Sequence, residues 1–260
     1  MDTRFWGPSG WRLLHLITFQ YEPSQKEAVK EMFQMLEYVL PCKYCRASFS
    51  EYIEKLPIEP YLTNKKKLSL WLYKVHNMVN EKLRKQNLLH EPNPSYESVK
   101  KVYEERIKEG CMRTAFEGWD FLFSIAENHP FSPSSKNSSP MENLPEKTDT
   151  PELRNRYNIM KPKERIVFYK RFWASVGPSL PFTEWREAWA ECKPNFKSHF
   201  KRELWKLRCC MEKKLELVNQ EKFESVCKKL DEHKSGCNKK KRGKTCRKNS
   251  KKRTTRKNQK

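Results

Sequence analysis

Glycine is scarce in this chain, seven in 260 residues beside sixteen prolines. That composition argues against a glycine-rich dinucleotide-binding fold and against a barrel of many tight turns, and makes helices the default expectation. Long apolar runs are missing too. None approaches the roughly 18 residues that a spanning helix requires, so no membrane span is expected. The start, Met1-Asp2-Thr3-Arg4, leads through Phe5 and Trp6 to Leu13-Leu14-His15-Leu16-Ile17, without the small-residue cleavage site of a secretion signal. Acid is absent between Lys239 and Lys260, where 13 of the 54 Lys and Arg residues lie, and without that tail the net charge falls from +22 to about +9. Nine cysteines, an odd number spread unevenly, disfavour a secreted disulfide scaffold and point to cysteines that do chemistry or bind metal.

What is present is helical patterning on a length sufficient for one or two domains. Trp11, Leu14 and Thr18 recur at helical spacing from Ser9 to about Gln20, with Pro8 and Ser9 as start signals. A second helix is expected from about Gln25 to Val39, ending before Pro41, because a proline disfavours helical geometry in the residue ahead of it. A third begins at Cys42 and runs to Lys55. The fourth, about Lys66 to Arg84, would bury Leu68, Trp71, Leu72, Val75, Val79 and Leu83. A fifth fits Tyr96 to Glu109, and a sixth Thr114 to Asn128. These describe an all-α fold, a four- or five-helix bundle followed by a second helical domain. The polar, Pro- and Ser-rich stretch 131–155 reads as a flexible insertion. Helical patterning returns from Lys163 to Val176 and from Phe182 to about Leu230.

Cys42-Lys43-Tyr44-Cys45 is the most informative stretch. Two cysteines separated by two residues at a helix start can close a small disulfide, and the unpaired amides there stabilise a thiolate. Lys43 and Arg46 add positive charge. Half a zinc site, a redox pair and chance all remain open from this spacing alone. Cys111, His76, His90 and Cys209-Cys210 offer no second two-residue-spaced pair for zinc. A thioredoxin-like arrangement would need a strand before the pair, and the residues there look helical. On the fourth helix His76 and Asn80 share one face, and Trp11 and His15 share a face of the first.

With these elements in place, residues 5 to 110 resemble the Erv/ALR family of FAD-linked sulfhydryl oxidases. The carriers of the resemblance are Gly7, Trp11, Leu14-His15, Tyr21 and Pro23; then Pro41-Cys42-Lys43-Tyr44-Cys45; then Trp71-Leu72 and His76-Asn77-Met78-Val79-Asn80, with Leu83 and Lys85 beyond. The resemblance implies an FAD-dependent thiol oxidase domain over 1–112, with Cys42 and Cys45 catalytic. It implies that Gly7, Trp11, His15, Tyr21, His76, Asn77, Val79, Asn80, Leu83, Lys85 and Tyr103 hold the cofactor, and that no metal is involved. It further implies thiol-containing protein substrates, dioxygen as acceptor giving hydrogen peroxide, and a homodimer. Cys45 would face the flavin and Cys42 would receive the incoming thiolate. Two departures stand out: Pro8 replaces the usual Arg after the first Gly, and Tyr73 and His90 occupy positions where cellular members often carry a structural disulfide. Their loss resembles compact members encoded by large DNA viruses, which sets the expected location in the cytoplasm or nucleus of an infected host cell, or in the virion. Cys111 is a candidate shuttle cysteine, or a small buried apolar residue.

The remainder reads as a worn copy of the beginning. Trp11, Leu14, His15 and Ile17 recur as Trp119, Leu122, Phe123 and Ile125. Counting from Pro41 and Pro181, Phe33, Leu36 and Leu40 match Trp173, Val176 and Leu180, and Cys42 and Cys45 become Phe182 and Trp185. From Trp71 and Trp205, Leu83 matches Leu217, while His76, Asn77 and Asn80 become Cys210, Met211 and Lys214. Residues 113–232 are therefore expected to be a degenerate, flavin-free copy that packs on the first half; an unrelated helical domain is the alternative. Cys192, Cys209, Cys210 and Cys227 could form disulfides or bind zinc, and neither is favoured. Residues 233–260 form a basic tail, expected to be disordered and attracted to phosphate, including non-specific nucleic acid; Cys237 and Cys246 lie in it. The competing functional class is a non-enzymatic, basic, helical nucleic-acid-binding protein with a cysteine metal site.

Overall fold

The structure, a computed structural model, describes residues 1–109, 116, 118–132, 139–193, 200–217 and 220–234. Cys111, the start of the helix expected at Thr114, and the tail beyond residue 234 with Cys237 and Cys246 lie outside the described residues. Among those described there are eleven α-helices and no strand.

Helix α1 spans Thr3–Gln20, beginning well before Ser9. Asp2 supplies the reason: its carboxylate accepts from the Arg4 amide at 2.9 Å and from the Arg4 guanidinium at 2.7 Å, so a capped turn already exists ahead of Pro8. Pro8 lies on the exposed side of the helix. Helix α2, Lys26–Val39, stops at Leu40, whose extended backbone (ψ 136°) satisfies Pro41. Helix α3, Lys43–Lys55, starts immediately after Cys42. Helix α4, Lys65–Lys85, is capped by Asn64, which accepts from the Lys67 amide at 3.0 Å. Helix α5, Tyr96–Lys108, is capped by Ser95 and lays Tyr96, Val99 and Tyr103 on Leu16 and Phe19 of α1.

Helices α6 (Trp119–Glu127), α8 (Pro162–Ser179), α9 (Thr183–Cys192), α10 (Phe200–Lys214) and α11 (Phe223–Glu232) form the second half. The patterning from Phe182 to Leu230 thus resolves into three helices. The two halves do not have separate cores. One cluster runs from Leu13, Phe33 and Trp71 to Phe121, Trp173 and Trp185, with α2 packed on α8 and α1 on α6. Trp71 and Trp185 are both essentially enclosed, at 0% and 1% exposure, and such side chains dominate core energetics.

The stretch expected to be a flexible insertion carries a short helix, α7 (Pro151–Arg156), capped by Thr150. Polar side chains, not apolar ones, tie it down. Asn155 donates to the Glu37 carbonyl at 2.7 Å, Arg156 meets Glu54 at 2.7 Å, and Asn158 accepts from Arg46 at 2.6 Å. Residues 133–138 of that stretch lie outside the described residues.

Cys192 and Cys210, which the sequence left undecided, are joined in a disulfide that staples α9 to α10. No described helix is long and apolar enough to cross a membrane, and no described group of three or more His, Cys, Asp or Glu side chains is placed to hold a metal ion.

Candidate functional site

Helix α2 ends, Pro41 turns the chain, and Cys42 becomes the residue that caps α3. Its φ of −132° and ψ of 125° are extended, and its Sγ receives the Cys45 amide at 3.4 Å. A sulfur held there sits where the first helical amides have no partners within the helix, which favours a thiolate. Cys42 and Cys45 are both thiols in this structure.

Around the pair, charge is arranged differently from the sequence expectation. Lys43 reaches outward to the Ser139 and Pro140 carbonyls, at 2.9 and 3.3 Å. Arg46 is buried beneath the pair, bonding the Leu40 carbonyl at 2.8 Å and Asn158 at 2.6 Å, and burial lowers its pKa to about 9. The Cys45 thiol is pushed well up, first by its hydrogen bond to Cys42, then by burial and the Cys42 charge; Lys82 and Arg46 pull it down. In the reduced pair Cys45 therefore gives up its proton less readily than a free cysteine does. Lys82, bonded to Ser48, was missed from sequence. The available signal was its place seven residues after Val75 and three after Val79, a cation on an otherwise apolar stripe.

Cys42 and Cys45 open on an apolar, solvent-connected cavity. Gly7, Trp11, Val79 and Leu83 line it, together with Trp6, Lys82 and Gln86. Phe121 of α6 closes one wall. Space is open above Gly7, where an added Cβ would meet nothing within 4 Å. Trp6 Nε1 and Gln86 Oε1 are buried without hydrogen-bond partners. A lone donor and a lone acceptor on apolar walls suit a flat ring system with polar edges, so the residues present fit a flavin.

The other expected ligands lie away from the cavity wall, in three places. His15, His76 and Tyr103 cluster behind Trp11: His76 stacks on Trp11 at 3.8 Å, His15 Nε2 and His76 Nδ1 are 3.1 Å apart, and Tyr103 lies 5.0 Å from His15. Burial, with the neighbouring His76, lowers the His15 pKa to about 3; burial alone lowers that of His76 to about 4. Both are neutral near pH 7. The cavity therefore touches this set through Trp11, and is not framed by the histidines themselves. Asn77 is half-buried, Asn80 bonds Asn93 at 3.0 Å, and Lys85 is exposed beside Glu81. Tyr21 stands apart, its hydroxyl bonded to the Leu62 carbonyl at 2.8 Å within the core. Of the pair, Cys42 is the more covered, at 4% exposure.

A helix-capping cysteine pair set against an apolar cavity is the arrangement of a thiol–disulfide redox protein. Residues 8–104 match the model of the Erv1/Alr family. The FAD-linked sulfhydryl oxidase of African swine fever virus is 34% identical over 106 residues, covering 39% of this chain and 82% of the viral enzyme. The mitochondrial FAD-linked sulfhydryl oxidase of Saccharomyces cerevisiae is 33% identical over 88 residues, 32% of this chain and 46% of the yeast protein. A probable FAD-linked sulfhydryl oxidase of Acanthamoeba polyphaga mimivirus is 29% identical over 85 residues, 31% and 59% of the two chains. This chain belongs to the Erv1/Alr family. No solved structure matches it.

Proposed function

We propose that this protein is a flavin-linked thiol oxidase that forms disulfides in protein substrates, with Cys42 and Cys45 as the entry point for electrons. The observation that carries the reading is that a helix-capped cysteine pair and Gly7, Trp11, Val79 and Leu83 share one cavity. When bound there, FAD supplies acceptance of two electrons and their delivery to dioxygen, giving hydrogen peroxide. Gly7, Trp11, Val79 and Leu83, which line the cavity, would hold it, and the family pattern adds His15, His76, Asn77, Asn80, Lys85 and Tyr103 as further residues that would do so.

The oxidised pair receives a substrate thiolate at Cys42: a sulfur–sulfur bond forms to the substrate, the Cys42–Cys45 bond breaks, and Cys45 leaves as thiolate. Two of the three influences that raise the Cys45 pKa come from Cys42, its hydrogen bond and its charge. Both vanish while Cys42 is tied to the substrate. Lys82 and Arg46 then hold Cys45 as thiolate beside the cavity. The second substrate thiolate attacks its own partner sulfur, releasing the substrate disulfide and returning Cys42 as thiolate. Across a turnover, one dithiol and one dioxygen become one disulfide and one hydrogen peroxide.

The test is the visible absorbance of the purified chain with thiol consumption and peroxide release. Cys45→Ala should keep the flavin band and lose more than about 10³-fold in turnover, the scale expected when a covalent participant is removed. A chain with bound zinc and no flavin, or a Cys45→Ala variant with full turnover, overturns the reading.

A further inference from the structure

We propose that the second half of this chain occupies the place a second copy would take in an isologous pair, because its contacts with the first half are reciprocal under the registers that align Trp11 with Trp119 and Pro41 with Pro181. In a two-fold pair, if residue i touches residue j of the other copy, then j touches i in return. Two unrelated helical segments packed together owe no such symmetry.

Between α2 and α8 the Gln25 side chain donates to the Pro178 carbonyl at 2.9 Å, and Pro178 stands where Tyr38 stands in the first half. Arg165 stands where Gln25 stands, and it donates to the Tyr38 carbonyl, also at 2.9 Å. Midway between them Glu31 pairs with its own counterpart, Arg171, Oε2 to Nη2 at 2.8 Å. A residue that meets its own equivalent marks a two-fold axis.

The second helix pair repeats the relation independently. A Cβ on Gly10 would sit 3.0 Å from Phe121, the counterpart of Leu13. A Cβ on Gly118, the counterpart of Gly10, would sit 2.5 Å from Leu13. Like pairs with like: α1 with α6, α2 with α8.

Two consequences follow. The α1 and α2 faces are consumed within the chain, so a second copy has no access to them, and the homodimer implied by the family resemblance does not form there. Nor is the second half inert filling, since Phe121 walls the cavity and Asn158 holds Arg46. Its own version of the site is closed: the cysteine pair is replaced by the buried Phe182 and Trp185, and the His76 position by Cys210, bonded to Cys192.

The test is cross-linking of the full chain at the axis with a short bis-maleimide, using Glu31→Cys alone and Glu31→Cys with Arg171→Cys, each compared with the unmodified chain. Both positions are partly exposed, and losing an exposed ion pair costs about 0–1 kcal/mol, so both variants should fold. The double variant should gain one linker within a single chain, and the single variant should give no chain-to-chain product through residue 31. Chain-to-chain linkage of the single variant overturns the proposal, as does failure of the double variant to link internally. A chain without flavin would sink the oxidase reading and leave this result unchanged.

Discussion

Leu40–Arg46 and Leu180–Arg186 can be laid side by side. Each ends a long helix in an extended leucine, turns at a proline, and starts the next helix two residues later. Each is locked by an arginine that reaches back to the leucine carbonyl, Arg46 to Leu40 at 2.8 Å and Arg186 to Leu180 at 2.9 Å. They differ in what caps the helix. Cys42 offers a sulfur to the Cys45 amide; Phe182 offers no side-chain acceptor. A missing cap costs about 1 kcal/mol, while burying an aromatic ring contributes about 1.5–3 kcal/mol, so the second turn is held by packing where the first is held open for chemistry. Backbone shape and redox function are thus separable, and three perturbations sharpen the contrast.

The largest effect is expected at Trp185, which stands at the Cys45 position and is almost fully enclosed. Trp185→Ala should cost about 3–5 kcal/mol by removing a buried ring from a close-packed core, read as a lowered midpoint in urea at unchanged slope. Cys45→Ala removes only a sulfur at the cavity wall and should move that midpoint far less. Equal shifts would mean that the two positions serve the same structural end, and the contrast would fail.

Next in size is acid sensitivity. His15 and His76 in the first half, and His129 in the second, have pKa values lowered by burial to about 3, about 4 and about 4. Each lies below the ordinary value of about 6.5, so the unfolded chain takes up these protons first as pH falls, and stability drops progressively from about pH 6.5 toward pH 4. Paired substitution of His15 and His76 by Gln should flatten the fall in melting temperature over that window more than His129→Gln does. A first-half variant that melts with the wild-type pH profile would show that the histidine cluster is not buried as a neutral pair.

How much of this was legible in the residues differs between the same two regions. Helices α2 to α5 could be placed to within a residue or two because Pro41, Asn64 and Ser95 mark their ends and the apolar stripes are clean. The cysteine pair shares one cavity with Trp11, Val79 and Leu83, while His15 and His76 lie behind Trp11. Lys82 did not announce itself, since a lysine on a helix stripe normally reads as solvated. Residues 131–155 read as flexible because composition reports apolar burial, and their described part is anchored by Asn155 with the neighbouring Arg156 and Asn158, which meet a backbone carbonyl, a carboxylate and a guanidinium. The Cys192–Cys210 bond was open because spacing alone never fixes disulfide connectivity.

The smallest difference tests the shared scaffold itself. Arg186 is half-exposed, bonding the Leu180 and Pro181 carbonyls at 2.9 and 3.4 Å, so Arg186→Met should cost about 1 kcal/mol, the usual net value of such a bond. Arg46 makes the equivalent bond from a buried position and also holds Asn158. Arg46→Met strands a buried carbonyl and an amide, each worth about 1–3 kcal/mol when left unsatisfied. It also withdraws a cation from Cys45, so the rate of Cys45 alkylation in a Cys42→Ser background should shift to higher pH. Arg186→Met should leave that profile in place, because the nearest counterpart of Cys45 there is an indole that cannot ionise. If both arginines prove equal in stability and the alkylation profile stays put, Arg46 is scaffold only, and Lys82 alone supplies the charge that draws the Cys45 pKa down.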